Sequence, residues 1–223
     1  MKFNISVMAL SMGVAMVYSV AHAKTIDITD VQLAGSGPYY TITESVPGYG
    51  SEQIYDSPLV FTETDGTKLY VNCDDLTHNI SLGTQNLSFT VGNIGSNFRG
   101  GNYTAKQIGS MAYLDKMLNS IVAHGGKNEN IKLAADQLAS WEISNPDVTF
   151  SGVDALVRDQ AQVYKVEATN KWSPNYQLTS LTGAQGQTFS TAVPEPKSWV
   201  MMLFGIFGIG YMARKKTNLP VKI

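Results

Sequence analysis

Residues 104–126, TAKQIGSMAYLDKMLNSIVAHGG, decide the fold: they are the first stretch beyond residue 24 that runs at helical rather than alternating periodicity. Thr104 followed three residues later by Gln107 is a capping box, in which each side chain satisfies a backbone N–H that the first helical turn leaves open. Ile108, Met111, Ala112, Leu114, Leu118 and Val122 then fall on one broad apolar arc. Gly125-Gly126 stops the helix, since glycine enters the left-handed conformation without a Cβ clash. A second helix is expected from about Asn130 to Ser144. Asn145-Pro146 ends it, because a residue before proline avoids the α region. A third is expected from about Val153 to Ala168.

On either side the period changes to two. Thr25-Ile26-Asp27-Ile28 alternates, and Tyr39–Thr43, Leu59–Phe61, Lys68–Asn72 and Leu87–Val91 are short β-branched or aromatic runs. Turn clusters at Ala34–Pro38, Pro47–Gly50, Thr64–Gly66 and Gly92–Gly101 separate them, with Asp65-Gly66 marking a hairpin. Residues 175–193 alternate again. The order is β-rich, helical, then β. It predicts an α+β fold: a β-rich sandwich or barrel with an inserted three-helix subdomain, about residues 104–169, rather than a βαβ series.

Composition narrows the function. The chain has 223 residues, 15% of them charged, and a formal net charge of −2. Residues 24–193 carry 10 Lys+Arg against 17 Asp+Glu, a balance of −7, so a basic tail hides an acidic body. Such a surface excludes nucleic acid as a partner. One cysteine excludes an internal disulfide framework and any multi-cysteine metal site. No cofactor motif is present.

The two ends lie apart from the fold. Residues 1–23 have the form of a secretory signal peptide: Lys2, an apolar small-residue run from Val7 to Val20, and Ala21-His22-Ala23 as a small-x-small cleavage site. The alternative is an uncleaved anchor. Residues 24–192 form the exported domain. At residues 193–223, Val193-Pro194-Glu195-Pro196 is stiff and extended, residues 199–213 are apolar, and Arg214-Lys215-Lys216 supplies a positive stop. Fifteen residues at 1.5 Å each span about 22 Å, short of the ~30 Å hydrocarbon core. A span that short suits a temporary anchor. With Pro194, Glu195, Pro196, the run from Trp199, the glycines Gly205, Gly208 and Gly210, and Arg214, Lys215 and Lys216, the tail resembles the PEP-CTERM sorting signal of exported proteins of Gram-negative bacteria. Seven further residues, Thr217–Ile223, extend it past the basic cluster. The resemblance implies processing by an exosortase-type protease after a transient inner-membrane anchor. Release to the cell surface or an extracellular matrix would follow.

Cys73 closes the run Leu69-Tyr70-Val71-Asn72 and precedes Asp74-Asp75. A cysteine without a partner is unusual in an exported chain. Alone, it is ordinarily a small buried hydrophobe. The second helix adds a further feature. Ile131, Ala134, Ala135 and Leu138 form its buried stripe, which sets Gln137 at the core boundary with Trp141 one turn on. A buried primary amide needs several hydrogen-bond partners. The same place would shield an acyl group from water.

Cys73-Asp74 and Gln137-Leu138-Ala139-Ser140-Trp141 together resemble the bacterial thioester domain of surface adhesins, over roughly residues 65–145. Two positions depart from that pattern. Asn72 stands where an aromatic or leucine commonly precedes the cysteine, and Asp136 where an apolar residue commonly precedes the glutamine. The resemblance implies an internal bond between Cys73 Sγ and the Gln137 side-chain carbonyl, with Asp74, Ala139 and Trp141 in support. It also implies covalent capture of an amine or hydroxyl on a surface or matrix protein or polysaccharide. Each molecule would react once, so the chain would not be a turnover enzyme.

Rival readings remain open. A non-covalent structural or polysaccharide-binding matrix protein could carry the same sorting tail. His78, or His124 as its rival, could pair with Cys73 in a Cys–His hydrolase. Asp74, Asp75 and His78 could ligate a metal or form a solvated turn. His124, just before Gly125, suits a helix C-terminus.

Overall fold

The computed structural model describes residues 24–95, 100–184 and 186–192. The signal-peptide and sorting-tail readings, at residues 1–23 and 193–223, lie outside the described residues. Within them no helix is long and apolar enough to cross a membrane. The elements in chain order are β1 (Thr25–Leu33), β2 (Tyr40–Val46), β3 (Gly50–Asp56), β4 (Leu59–Glu63), β5 (Lys68–Cys73), β6 (Gly83–Asn93), α1 (Ala105–His124), α2 (Glu129–Ser144), β7 (Thr149–Ser151), α3 (Ala155–Lys171), β8 (Leu178–Gly183) and β9 (Thr188–Ala192).

Six strands close into an antiparallel barrel in the order β1-β4-β5-β9-β8-β6. A barrel this small is filled by its own side chains. Phe61, Phe89 and Phe189 meet at its centre, with ring centroids 4.9 to 5.7 Å apart. Ile28, Val31, Val71 and Leu181 complete the interior. In β1 the buried positions are Ile26 and Ile28, then Val31 and Leu33, a switch from even to odd. A register shift between Ile28 and Asp30 absorbs the extra residue, as a bulge does.

The second layer is the helical subdomain with a three-stranded sheet, β3-β2-β7. The expected capping box is present: the Thr104 hydroxyl accepts from Gln107 N–H, and the Gln107 amide oxygen accepts from Thr104 N–H. Gly125 N–H closes the helix on Ile121 O. Asp154 caps α3, accepting from the N–H groups of Leu156 and Val157. α2 packs against α1, α3, β3 and β5, and every residue from Leu133 to Trp141 is buried.

Two strands differ from the sequence expectation. β3 reads GSEQIYD, is mostly exposed and forms a sheet edge, so its sequence carries no apolar alternation. β7 has three residues, held by pairing of Thr149–Ser151 with β2. α2 also differs from a one-sided helix: packed on several sides, it has no solvent face along its centre.

Because Phe61 is fully buried between two other rings, Phe61→Ala should lower the free energy of unfolding by about 3–5 kcal/mol. Urea denaturation followed by circular dichroism measures this.

Candidate functional site

The site begins at a gap in the barrel ladder. The last β4–β5 pair is Leu59 with Val71, so β5 runs two residues beyond its neighbour. On its other side β5 still pairs with β9, Asn72 opposite Ser190 and Cys73 opposite Phe189. The backbone groups of Cys73 therefore need another partner on the β4 side, and Gln137 of α2 supplies it. Cys73 N–H donates to Gln137 Oε1 at 3.0 Å, and Gln137 Nε2 donates to Cys73 C=O at 3.0 Å. The side-chain amide takes the place of one residue of a missing strand. This reciprocal pattern also fixes which way the amide points. Gln137 is fully buried, deeper than the core boundary that helical periodicity gave it.

The residues before each of these two also meet. Asn72 Nδ2 donates to Asp115 Oδ1 of α1 at 2.7 Å and to Asp136 Oδ2 at 3.2 Å. Asn72, Asp115 and Asp136 are all buried, as is Asp74, which accepts from Ser190 Oγ at 3.2 Å. Burial drives the carboxyls of Asp74, Asp115 and Asp136 up, Asp115 to about 7. Neutral acids are the state such a dry cluster favours. No group of three or more His, Cys, Asp or Glu among the described residues is arranged to hold a metal ion.

The contacts of the thiol are local. Cys73 Sγ donates to Asp75 C=O at 3.1 Å. Burial, then the neighbouring Asp74 carboxyl, pushes the thiol up, so it is protonated at neutral pH. Asp75 Oδ1 accepts from Thr77 N–H and Thr77 Oγ1, each at 2.8 Å, and its Oδ2 lies 2.7 Å from His78 Nδ1. The Asp74-Asp75 pair is thus buried and hydrogen-bonded, in place of a solvated turn. Cys73 opens onto a cleft of about 340 Å³, lined also by Glu52, Tyr55, Asp75, His78 and Trp141. The Trp141 ring stacks on Phe150 of β7, centroids 5.7 Å apart.

Among the residues named from sequence, Cys73, Asp74 and Gln137 come together at the end of β5. Trp141 joins Cys73 on the cleft wall, and Ala139 is packed in the helical core. His78 engages Asp75 through Nδ1 rather than the thiol. His124 lies in the last turn of α1, with Nδ1 2.8 Å from Ser120 O. Pro194, Glu195, Pro196, Arg214, Lys215 and Lys216 lie outside the described residues. The sequence reading passed over Asp115 and Glu44, and met Asp136 only as a departure from the thioester-domain pattern. Asp115 follows Met111 by four on the apolar arc of α1, Asp136 sits inside the α2 core run, and Glu44 takes an inward position between Ile42 and Val46. A charge at an apolar phase was the available signal in each case.

No protein-family model matches the chain, and no curated protein matches it either. One solved structure is similar, the N-terminal thioester domain of a surface protein from Clostridium perfringens. The identity is 14%, the match covers 69% of this chain and 98% of that one, and the TM-score is 0.42. At that distance the likeness establishes neither family nor function.

The buried acids give a pH dependence of defined sign. Their folded values are raised, so their stabilising contribution is full below the ordinary carboxylate range. It is lost as pH rises through about 7, where Glu44 and Asp115 titrate. Urea midpoints should therefore be higher at pH 5.5 than at pH 8. Asp136→Asn should narrow that difference, because the new amide oxygen can still accept from Asn72 while the titrating group is gone. Each group contributes at most about 1.4 kcal/mol per pH unit.

Proposed function

We propose that Cys73 and Gln137 join in an internal thioester, and that the protein uses it once to attach covalently to a nucleophile on a surface or matrix partner. The observation that carries this reading is the reciprocal pairing of the Gln137 amide with the Cys73 backbone inside a dry core. Such fixed proximity raises effective molarity by orders of magnitude. The thiol sulfur adds to the Gln137 carbonyl carbon, the carbon–sulfur bond forms and the carbon–nitrogen bond breaks. The amide nitrogen leaves as ammonia and takes the thiol proton with it. Cys73 N–H already points at Oε1, where negative charge develops, and so acts as an oxyanion donor.

The product is an activated acyl group. An amine or hydroxyl attacks it, forms an amide or ester with Gln137 and expels the Cys73 sulfur. Burial of Gln137 and the Trp141 wall beside the thiol limit competing hydrolysis. The secretory leader and the PEP-CTERM-like tail fit an exported protein that is processed by an exosortase-type protease and acts in adhesion or anchoring at the cell surface or in an extracellular matrix. Capture without turnover fits no enzyme class.

A second reading has its own support. The same two hydrogen bonds also satisfy the ladder gap at Cys73, so Gln137 would serve a purely structural cap in a non-covalent matrix protein.

Intact mass separates the two. The purified protein should weigh one ammonia less than its sequence and gain one methylamine on exposure to that amine. Cys73→Ala and Gln137→Ala should lose both effects. A full calculated mass with an alkylatable Cys73 in freshly folded wild type would overturn the thioester and leave the structural cap.

A further inference from the structure

We propose that the free edge of β3 docks an extended segment of a partner protein as an added strand, which carries a lysine side chain into the cleft beside Cys73. The docking surface stands on its own geometry. Its use in capture rests on the thioester reading and names the kind of partner that reading takes.

The lining of the cleft points to a strand edge. Glu52, Gln53, Ile54 and Tyr55, four consecutive residues of β3, all border it. Successive side chains of a strand point to opposite faces, so a surface on one face would meet only alternate residues. A slot that meets all four runs along the side of the strand. Residues of the segment 75–82, which follows β5, border it too. Between exposed side chains of the two, Asn79 Nδ2 donates to Glu52 Oε1 at 3.0 Å, a surface hydrogen bond that an added strand can displace.

That edge is open. β3 ends its sheet and pairs with β2 alone. The register is continuous from Val46 opposite Gly50 to Tyr40 opposite Asp56, without a bulge, and the strand contains no proline or lysine. Bulges, prolines and lysines are the usual means by which an edge repels a further strand. In an antiparallel pair every second residue turns its N–H and C=O outward. Among the described residues, nothing outside β2 hydrogen-bonds to the backbone of residues 50–55. The sheet's other edge, β7, has three residues, and its Phe150 C=O already accepts from Arg158 Nη2 at 2.8 Å.

The chemistry of the slot selects a polypeptide with a cationic side chain. Strand addition draws its affinity from main-chain hydrogen bonds, which a polysaccharide cannot make. Tyr55 and Leu82, 54% and 46% exposed, border the cleft and offer apolar contacts to the side chains of the added strand. Glu52 and Asp75 also border it, with His78 held on Asp75, and no Lys or Arg does. Such a slot attracts a cation and disfavours an acidic segment. Lysine is the cationic side chain that deprotonates readily to a nucleophile, whereas arginine stays charged. In capture, the neutral lysine nitrogen bonds to the Gln137 carbonyl carbon and the carbon–sulfur bond breaks. The proton shed by nitrogen ends on the Cys73 sulfur.

The probe is an acetylated, amidated heptapeptide of alternating threonine and valine with a central lysine. Its control is the same peptide N-methylated along the backbone, which keeps the lysine and loses the strand's donors. Capture by the wild-type chain is followed by intact mass at equal concentrations. The parent peptide should be captured at least about 10-fold faster than the control, because docking raises the local concentration of its amine. A ratio within about twofold of one overturns the proposal while leaving the thioester intact. Faster capture of dextran than of the heptapeptide also overturns it, in favour of a polysaccharide partner. Docking itself is read in Cys73→Ala, which cannot react. There the parent peptide should slow amide hydrogen exchange at alternate residues of 50–55, and the control should not. Unchanged exchange overturns the docking surface. Wild type without the ammonia deficit removes the thioester reading alone, since the exchange measurement still decides the docking.

Discussion

The pairing of one side-chain amide with one backbone residue sets the terms for the whole structure. β4 starts at Leu59, two pairs short of the end of β5, and the Cys73 N–H and C=O would otherwise face the helical layer unpaired. An unmade buried hydrogen bond costs about 1–3 kcal/mol, so both groups demand a partner with a donor and an acceptor at strand-like spacing. A primary amide offers both from one side chain, on two separate atoms. Gln137 can reach them only if α2 lies directly against the open end of the barrel. That placement explains why α2 is enclosed along its centre, with α1 and α3 packed around it and β5 beneath.

The same constraint explains the polar cluster behind the pairing. Asn72 and Asp136 are neighbours of Cys73 and Gln137 in sequence, so docking one pair brings the other together. An apolar pair would pack there, but the Asn72 amide needs acceptors and the acids need donors, and each answers the other across 2.7 and 3.2 Å. The two positions that depart from the pattern the sequence resembles thus meet in one hydrogen bond, Asn72 Nδ2 to Asp136 Oδ2. Their cost is charge. Three dry carboxyls cannot all ionise without cations, and raised proton affinity is how the fold tolerates them.

Much of this was legible in the residues, and what was not has physical reasons. The capping box at Thr104, the stop at Gly125 and the change of period around residues 104–169 are local signals, because short-range hydrogen bonds and side-chain phase set them. The strands β3 and β7 left no such signal. β3 is an exposed edge with a single half-buried Ile54, and β7 exists only because β2 supplies its hydrogen bonds. The phase switch within β1 was visible in Ile26, Ile28, Val31 and Leu33, but only strand pairing identifies it as a bulge. At the site, helical phase put Gln137 near the core but not inside it, since that phase assumes one buried face. The depth comes from packing on several sides, a tertiary property.

The division of the site into a wet side and a dry side bears on what kind of reagent it can be. Cys73 and Trp141 line the cleft, whereas Gln137 is fully enclosed. In the proposed thioester, a nucleophile in the cleft would meet the acyl carbon from the side of the sulfur it displaces. Such a path would suit a bond that, as proposed, stays unreacted until a partner reaches the cleft. It suits repeated catalysis poorly, because the amide or ester product would remain attached to Gln137 inside the core, with no route for release. In the proposed thioester, the enclosure that would protect the activated group before capture is the same feature that would make capture final.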